Sequence, residues 1–213
     1  MAQPANILNQ NISIKRLQEM RNFGGEILTH GLKEEILKKF ISHDQNLRSA
    51  IESAYEHFVV LQKEKPDFLL LSEKEQIKLA QQNIVNFYAN ENVNPYVAIS
   101  AMGPWIVTLK GAVIYDCGGY GMLGLGHSPK LALNEIKKPH VMANVMTPSL
   151  SQMEFIDILK KEIGHSRTNK STFTEFCCLN SGSESVSIGA RLADVNAKEL
   201  TAKGAKHFGK SIA

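Results

Sequence analysis

The hydrophobic spacing of this chain changes once, at Asn94-Pro95, and that change limits the folds open to it more than any other feature. Before it, apolar residues recur three or four apart. Leu47, Ile51, Ala54, Tyr55, Phe58 and Leu61 form one helical stripe behind a capping Asp44. Ser72-Glu73-Lys74-Glu75 has the form of a capping box, in which the serine oxygen meets an N–H three residues on and the glutamate reaches back. A helix is expected after it, with Ile77, Ala80, Ile84 and Phe87 on one face. Leu32, Ile36, Leu37 and Phe40 predict another over 31–42. Residues 1–95 are therefore expected to be an α-helical extension that packs on something larger, with no catalytic residues concentrated in it.

After Pro95 the periodicity shortens. Trp105-Ile106-Val107-Thr108-Leu109 and Ala112-Val113-Ile114-Tyr115-Asp116 are β-prone runs flanking Lys110-Gly111, the spacing of a hairpin. A glycine-dense loop follows over 118–126, and Ser128-Pro129 opens a short helix to about Lys138. Ser151-Gln152-Met153-Glu154 has the form of a second capping box, starting a helix with Phe155, Ile158, Leu159 and Ile163 that stops at Gly164. Phe173 to Leu179 predicts a strand, which runs through Asn180-Ser181-Gly182-Ser183-Glu184 into a helix ending near Leu200. Strand, tight polar loop and helix in succession are the mark of α/β folds.

Composition narrows the function classes. With 43% hydrophobic and 21% charged residues, the 213-residue chain has the balance of a soluble globular protein. Its apolar runs are short, Phe68 to Leu71 being typical, so no membrane span is expected, and nothing near the N-terminus has the form of a secretory signal. The net charge is +3, and the charges are interspersed, without the basic stripe that grips nucleic acid. Three cysteines, Cys117, Cys177 and Cys178, without a C-x-x-C, fit reduced thiols in a cytoplasmic protein. Neither an H-E-x-x-H metal helix nor a G-x-S-x-G nucleophile elbow occurs, and no metal ligand set is nominated.

Three stretches resemble phosphate-binding loops in outline. Gly119-x-Gly121-x-x-Gly124 follows a strand, as a dinucleotide fingerprint must, but 139–145 offers no acid for a ribose hydroxyl and the helix begins only after Pro129. Residues 204–211 satisfy GxxxxGK[ST], yet what precedes them is helical in character rather than a buried strand. In the third, Ser181 and Glu184 form a capping box. Gly182 permits close approach of a ligand oxygen, and the N–H groups of Gly182 and Ser183 favour an anion on the loop side of the helix.

This third loop, with Ala190-Arg191-Leu192-Ala193 in the helix behind it, resembles the class III aminotransferases, pyridoxal-phosphate enzymes of fold type I. Upstream, Gly111, Ile114-Tyr115-Asp116, Gly118-Gly119 and Leu125-Gly126-His127-Ser128-Pro129 are similar to that family's opening segment, in the right order and spacing. The resemblance covers about Tyr96 to Ala213. It implies an α/β fold: the N-terminal part of a fold type I transferase, preceded by the helical extension. Residues 96–150 would begin the small domain and 151–213 the large cofactor-binding domain.

By the same resemblance Ser181, Gly182 and Ser183 bind the phosphate of pyridoxal 5'-phosphate, and the parent reaction moves an amino group from an amino donor to a 2-oxo acid in a homodimer. The glycine-rich stretch 118–126 would lie near the dimer interface and substrate entrance, with His127 structural rather than catalytic. The family's Schiff-base lysine falls beyond Ala213, so no catalytic residue is nominated among Lys198, Lys203, Lys210 or any other; the chain alone is expected to be inactive, with the cofactor bound only in a complete or complemented chain. Two alternatives stand beside this reading: a P-loop nucleotide-binding protein using 204–211, and a non-catalytic module binding a partner through 1–95.

Overall fold

A computed structural model describes residues 4–85, 89–118, 124–141, 146–163, 173 and 175–204. The chain divides into two compact units, Met1–His140 and Val141–Ala213. The change of texture at Asn94-Pro95 falls inside the first of them.

In the first unit, α1 (Pro4–Asn22), α2 (Glu34–Ile41), α3 (Gln45–Glu64), α4 (Pro66–Leu70) and α5 (Glu73–Ala80) precede a single 3-10 turn at Asn90–Asn92. Strands β1 (Ala98–Met102), β2 (Trp105–Thr108) and β3 (Val113–Tyr115) follow, then α6 (Lys130–Ile136). The three strands form one antiparallel sheet in the order β1-β2-β3. The result is mixed helix with a small antiparallel sheet, which agrees with α/β only in the loose sense that both elements are present.

The expected hairpin is β2–β3, with Trp105 opposite Tyr115 and Val107 opposite Val113. Its turn depends on Gly111, which has a φ of +70°. A Cβ there would also lie 2.6 Å from the Leu17 carbonyl oxygen, so α1 passes too close for any side chain. Strand β1, not anticipated from the sequence, pairs with the other side of β2.

Helix α3 supplies the cover that the sheet needs. Asp44 caps it, accepting from the N–H groups of Asn46 and Leu47, as expected. Leu47, Ala50, Ile51, Ala54 and Phe58 are buried on one stripe, against Leu17 and Met20 of α1 and Trp105 and Val107 of β2. Each fully buried side chain of Leu, Ile or Phe size stabilises the fold by about 1.5–3 kcal/mol. Trp105 is locked by its neighbours: Nε1 donates to Asp44 Oδ2 at 2.7 Å, and its ring meets Phe40 and Tyr115 edge-on.

Helix α5 corrects the expectation for its face. The Ser72–Glu75 capping box forms as expected, but the helix stops at Ala80. Ala80 is exposed, Ile84 lies beyond the helix at 61% exposure, and Phe87 is outside the described residues. The buried residues are instead Glu73 and Gln76. Beside them is a third buried polar residue, Lys110, in the hairpin turn, whose Nζ donates to the carbonyls of Gly24, Leu69 and Leu71. Those carbonyls end segments that no ladder completes, so the ammonium replaces the hydrogen bonds that secondary structure would have given them.

The second unit contains α7 (Leu150–Glu162) and α8 (Gly182–Thr201), and no described residue in it is buried. Helix α7 begins two residues earlier than its expected capping box, because Ser149, not Ser151, accepts the Gln152 N–H. Its expected stop, Gly164, is outside the described residues. The strand expected over 173–179 is not formed at Phe173 or at 175–179, while 174 is not described. A strand exists through its pairing, and 175–179 joins no strand ladder among the described residues. Helix α8 starts and ends within a residue of expectation.

Candidate functional site

The residues singled out for an anion, Ser181, Gly182 and Ser183, sit at the start of α8. Ser181 is the N-cap: its hydroxyl accepts the Glu184 N–H at 3.2 Å, and its carbonyl accepts the Ser185 N–H at 3.1 Å. Glu184 turns back and accepts from the N–H groups of Asn180 and Ser181, at 3.0 and 3.1 Å. This holds its carboxylate behind the helix start, on the side of Asn180. Since the first turn of a helix has no intrahelical acceptors, the N–H groups of Gly182 and Ser183 are the two that the cap leaves unengaged among the described residues. A Cβ built on Gly182 would meet nothing within 4 Å, so the approach to both N–H groups is open. The arrangement has two backbone donors, the Ser183 hydroxyl and the positive end of a twenty-residue helix, which together suit a phosphate or carboxylate.

A second feature lies in the first unit, where the glycine-rich loop returns to the sheet. Gly103 and His127 exchange backbone hydrogen bonds of 2.9 and 2.8 Å, with Gly103 N–H donating in the longer. Gly126, at φ +75°, makes this possible, since a Cβ on it would lie 3.0 Å from the backbone of Gly103. At the end of β3, Asp116 donates its N–H to the Pro104 carbonyl and accepts the Gly118 N–H on Oδ1. Its Oδ2 lies 3.0 Å from His127 Nε2. Both side chains are about four-fifths buried, at 21% and 22% exposure. They line an open cleft of about 490 Å³, with Asn46, Pro104 and Leu125 among its other walls. A carboxylate only accepts, so Nε2 carries the proton in the neutral ring and Nδ1 keeps its lone pair. The pair can therefore accept a ligand hydrogen bond at Nδ1.

The two features belong to different units. Sequence reasoning named His127 and Asp116 separately but missed that they pair; the signal available was only that a hairpin end and a glycine loop tend to be neighbours. Gly119 to Leu123 lie outside the described residues, as do 205–211, which hold most of the GxxxxGK[ST] pattern. Among the described residues no group of His, Cys, Asp and Glu is arranged to hold a metal ion, and no helix is long and apolar enough to cross a membrane. Set against family models, curated proteins and solved structures, the chain matches none.

Proposed function

We propose that this chain supplies the phosphate-binding part of a pyridoxal-phosphate-dependent aminotransferase of the class III, fold type I kind. The supporting observation is the start of α8: Gly182 and Ser183 present unengaged N–H groups at an unobstructed glycine, at the loop where the family resemblance carries the cofactor phosphate. The residues fit that group as one wall of a cradle. Gly182 and Ser183 N–H would donate to phosphate oxygens, the Ser183 hydroxyl would add a third donor, and Ser181 would hold the turn in shape by capping. Glu184 stays compatible with a bound dianion because its carboxylate is tied to Asn180 and Ser181. The cofactor, when bound, supplies the electron sink for moving an amino group from an amino donor to a 2-oxo acid. In this reading the cytoplasmic enzyme is a homodimer.

The test is a titration of pyridoxal 5'-phosphate onto the isotopically labelled chain complemented with a segment of that family carrying the Schiff-base lysine, followed through its amide resonances. Gly182 and Ser183 are expected to shift first, and Gly182→Asp, which sets a side chain and a negative charge at the anion position, to weaken the response at least tenfold. An equal response from Gly182→Asp would overturn the assignment.

A further inference from the structure

Two buried oxygens lack a hydrogen-bond partner among the described residues, Glu73 Oε1 and Gln76 Oε1. Glu73 is 1% exposed and Gln76 0%, and their three-residue separation on α5 sets both side chains on one helix face. Glu73 Oε2 takes the N–H groups of Leu28 and Thr29, both at 2.7 Å. Gln76 Nε2 donates to the carbonyls of Phe68 and Leu69, which fixes the amide, since turning it over would set its oxygen against two carbonyl oxygens. An ammonium has three protons, and those of Lys110 go to Gly24, Leu69 and Leu71, leaving none for Glu73.

Two acceptors in a dry site require a donor, and three candidates differ in charge and in the partners they need. A metal cation demands about six oxygens, whereas two are unclaimed here, and it would add positive charge beside Lys110. A proton shared between the two oxygens would satisfy both, but would neutralise Glu73 and leave the Lys110 charge buried without the carboxylate that favours it. Water brings two protons and no charge, and buried waters characteristically join such otherwise unsatisfied groups.

We propose that one ordered water occupies this site, donating to Glu73 Oε1 and to Gln76 Oε1. The water completes a polar junction in which α5 holds the 24–29 segment, the end of α4 and the hairpin turn together. It is a structural ligand of the fold, independent of the cofactor reading above.

A crystal structure of the full chain at a resolution that orders water is the direct test. The expected result is one light-atom density peak within about 2.6–3.2 Å of both oxygens. No peak with the two oxygens in direct contact would overturn the proposal in favour of a shared proton. A peak ringed by about six oxygens would overturn it in favour of a cation. In solution, water-oxygen magnetic relaxation dispersion counts long-lived internal waters without any substitution in the reference protein. Gln76→Met, which removes one acceptor at similar length, is expected to lower that count by one while amide spectra retain the fold. An unchanged count in a folded variant overturns the site. If Gln76→Met does not fold, the density peak in the crystal structure of the unmodified protein decides.

Discussion

Helices α5 and α8 begin with the same device, a serine hydroxyl on the N–H three residues ahead and a glutamate reaching back to the cap, at Ser72/Glu75 and Ser181/Glu184. Their surroundings have little else in common. On α5 two polar residues, Glu73 and Gln76, are fully buried. On α8 apolar residues such as Val186 and Leu192 stand 73% and 59% exposed. The cap therefore fixes where a helix starts and says nothing about which face is covered. That second property comes from partners outside the helix: Leu28 and Thr29 donate to Glu73, and Gln76 donates to the carbonyls of Phe68 and Leu69 in α4. The contrast has an energetic consequence. Cutting a long-range partner of α5 should cost several times what cutting a cap of α8 costs.

Lys110→Met is the strongest way to break that expectation. It leaves Glu73 as a buried charge without a cation and takes a donor from the carbonyls of Gly24, Leu69 and Leu71, and is expected to destabilise the first unit by about 3–5 kcal/mol. Urea unfolding followed by Trp105, the single tryptophan of the chain, reports it directly, because that ring is buried in the core beside the hairpin. A loss below about 1 kcal/mol would place the junction among ordinary surface ion pairs.

Gly111→Ala comes next. The substitution asks an L residue to hold φ +70° and brings a Cβ to 2.6 Å from the Leu17 carbonyl. A cost of about 1–3 kcal/mol is expected from the backbone conformation, with more if α1 has to shift. The same unfolding measurement checks it, and near-neutrality would mean that the turn relaxes into another type.

The contrast between the helices also explains what was legible beforehand. Asp44, the hairpin at 105–116, the Ser72 box and the start of α8 were all read correctly, because each is decided within four or five residues. One local reading failed, the cap at Ser151, whose place Ser149 takes; the others that failed were non-local. The strand expected over 173–179 has the right residue types, yet β-propensity needs a neighbouring strand, and 175–179 joins no strand ladder among the described residues. The apolar face expected on α5 was set aside for Glu73 and Gln76, because the space beside it is lined with carbonyl and amide groups that only polar side chains satisfy. The candidate site divides in the same way. Ser181 and Glu184 were legible as a cap, while the pairing of Asp116 with His127 depends on a loop closing eleven residues later and leaves no mark on either residue alone.

A paired substitution sharpens the comparison at smaller scale. Asp44→Ala removes a cap that also holds the Trp105 indole, so about 1–2 kcal/mol is expected for the cap alone, together with a changed Trp105 emission. Ser181→Ala removes a cap with no such second task. About 0.5–1 kcal/mol is expected, seen as faster amide exchange confined to the first turn of α8. Equal effects on both helices would mean that the tertiary bond from Asp44 to Trp105 adds nothing to the cap.

The smallest expected effect is electrostatic and belongs to the Ser72 cap. The Glu75 carboxyl is held below its ordinary value of about 4.5, chiefly by its hydrogen bond with the Ser72 hydroxyl and then by the Ser72 N–H, while partial desolvation opposes both. A carboxyl lowered on folding stabilises the folded state fully above its unfolded value. That contribution is lost as the pH falls from there through the lowered folded value. Acidification below about pH 4.5 is therefore expected to loosen the start of α5. Following the Glu75 carboxyl carbon through an acid titration measures the shift. Ser72→Ala should move its midpoint upward, toward the ordinary value, and erase the acid-dependent part of α5 protection. An unmoved midpoint in Ser72→Ala would mean that the hydroxyl is not what holds the proton off, and the capping box at α5 would then act through shape alone.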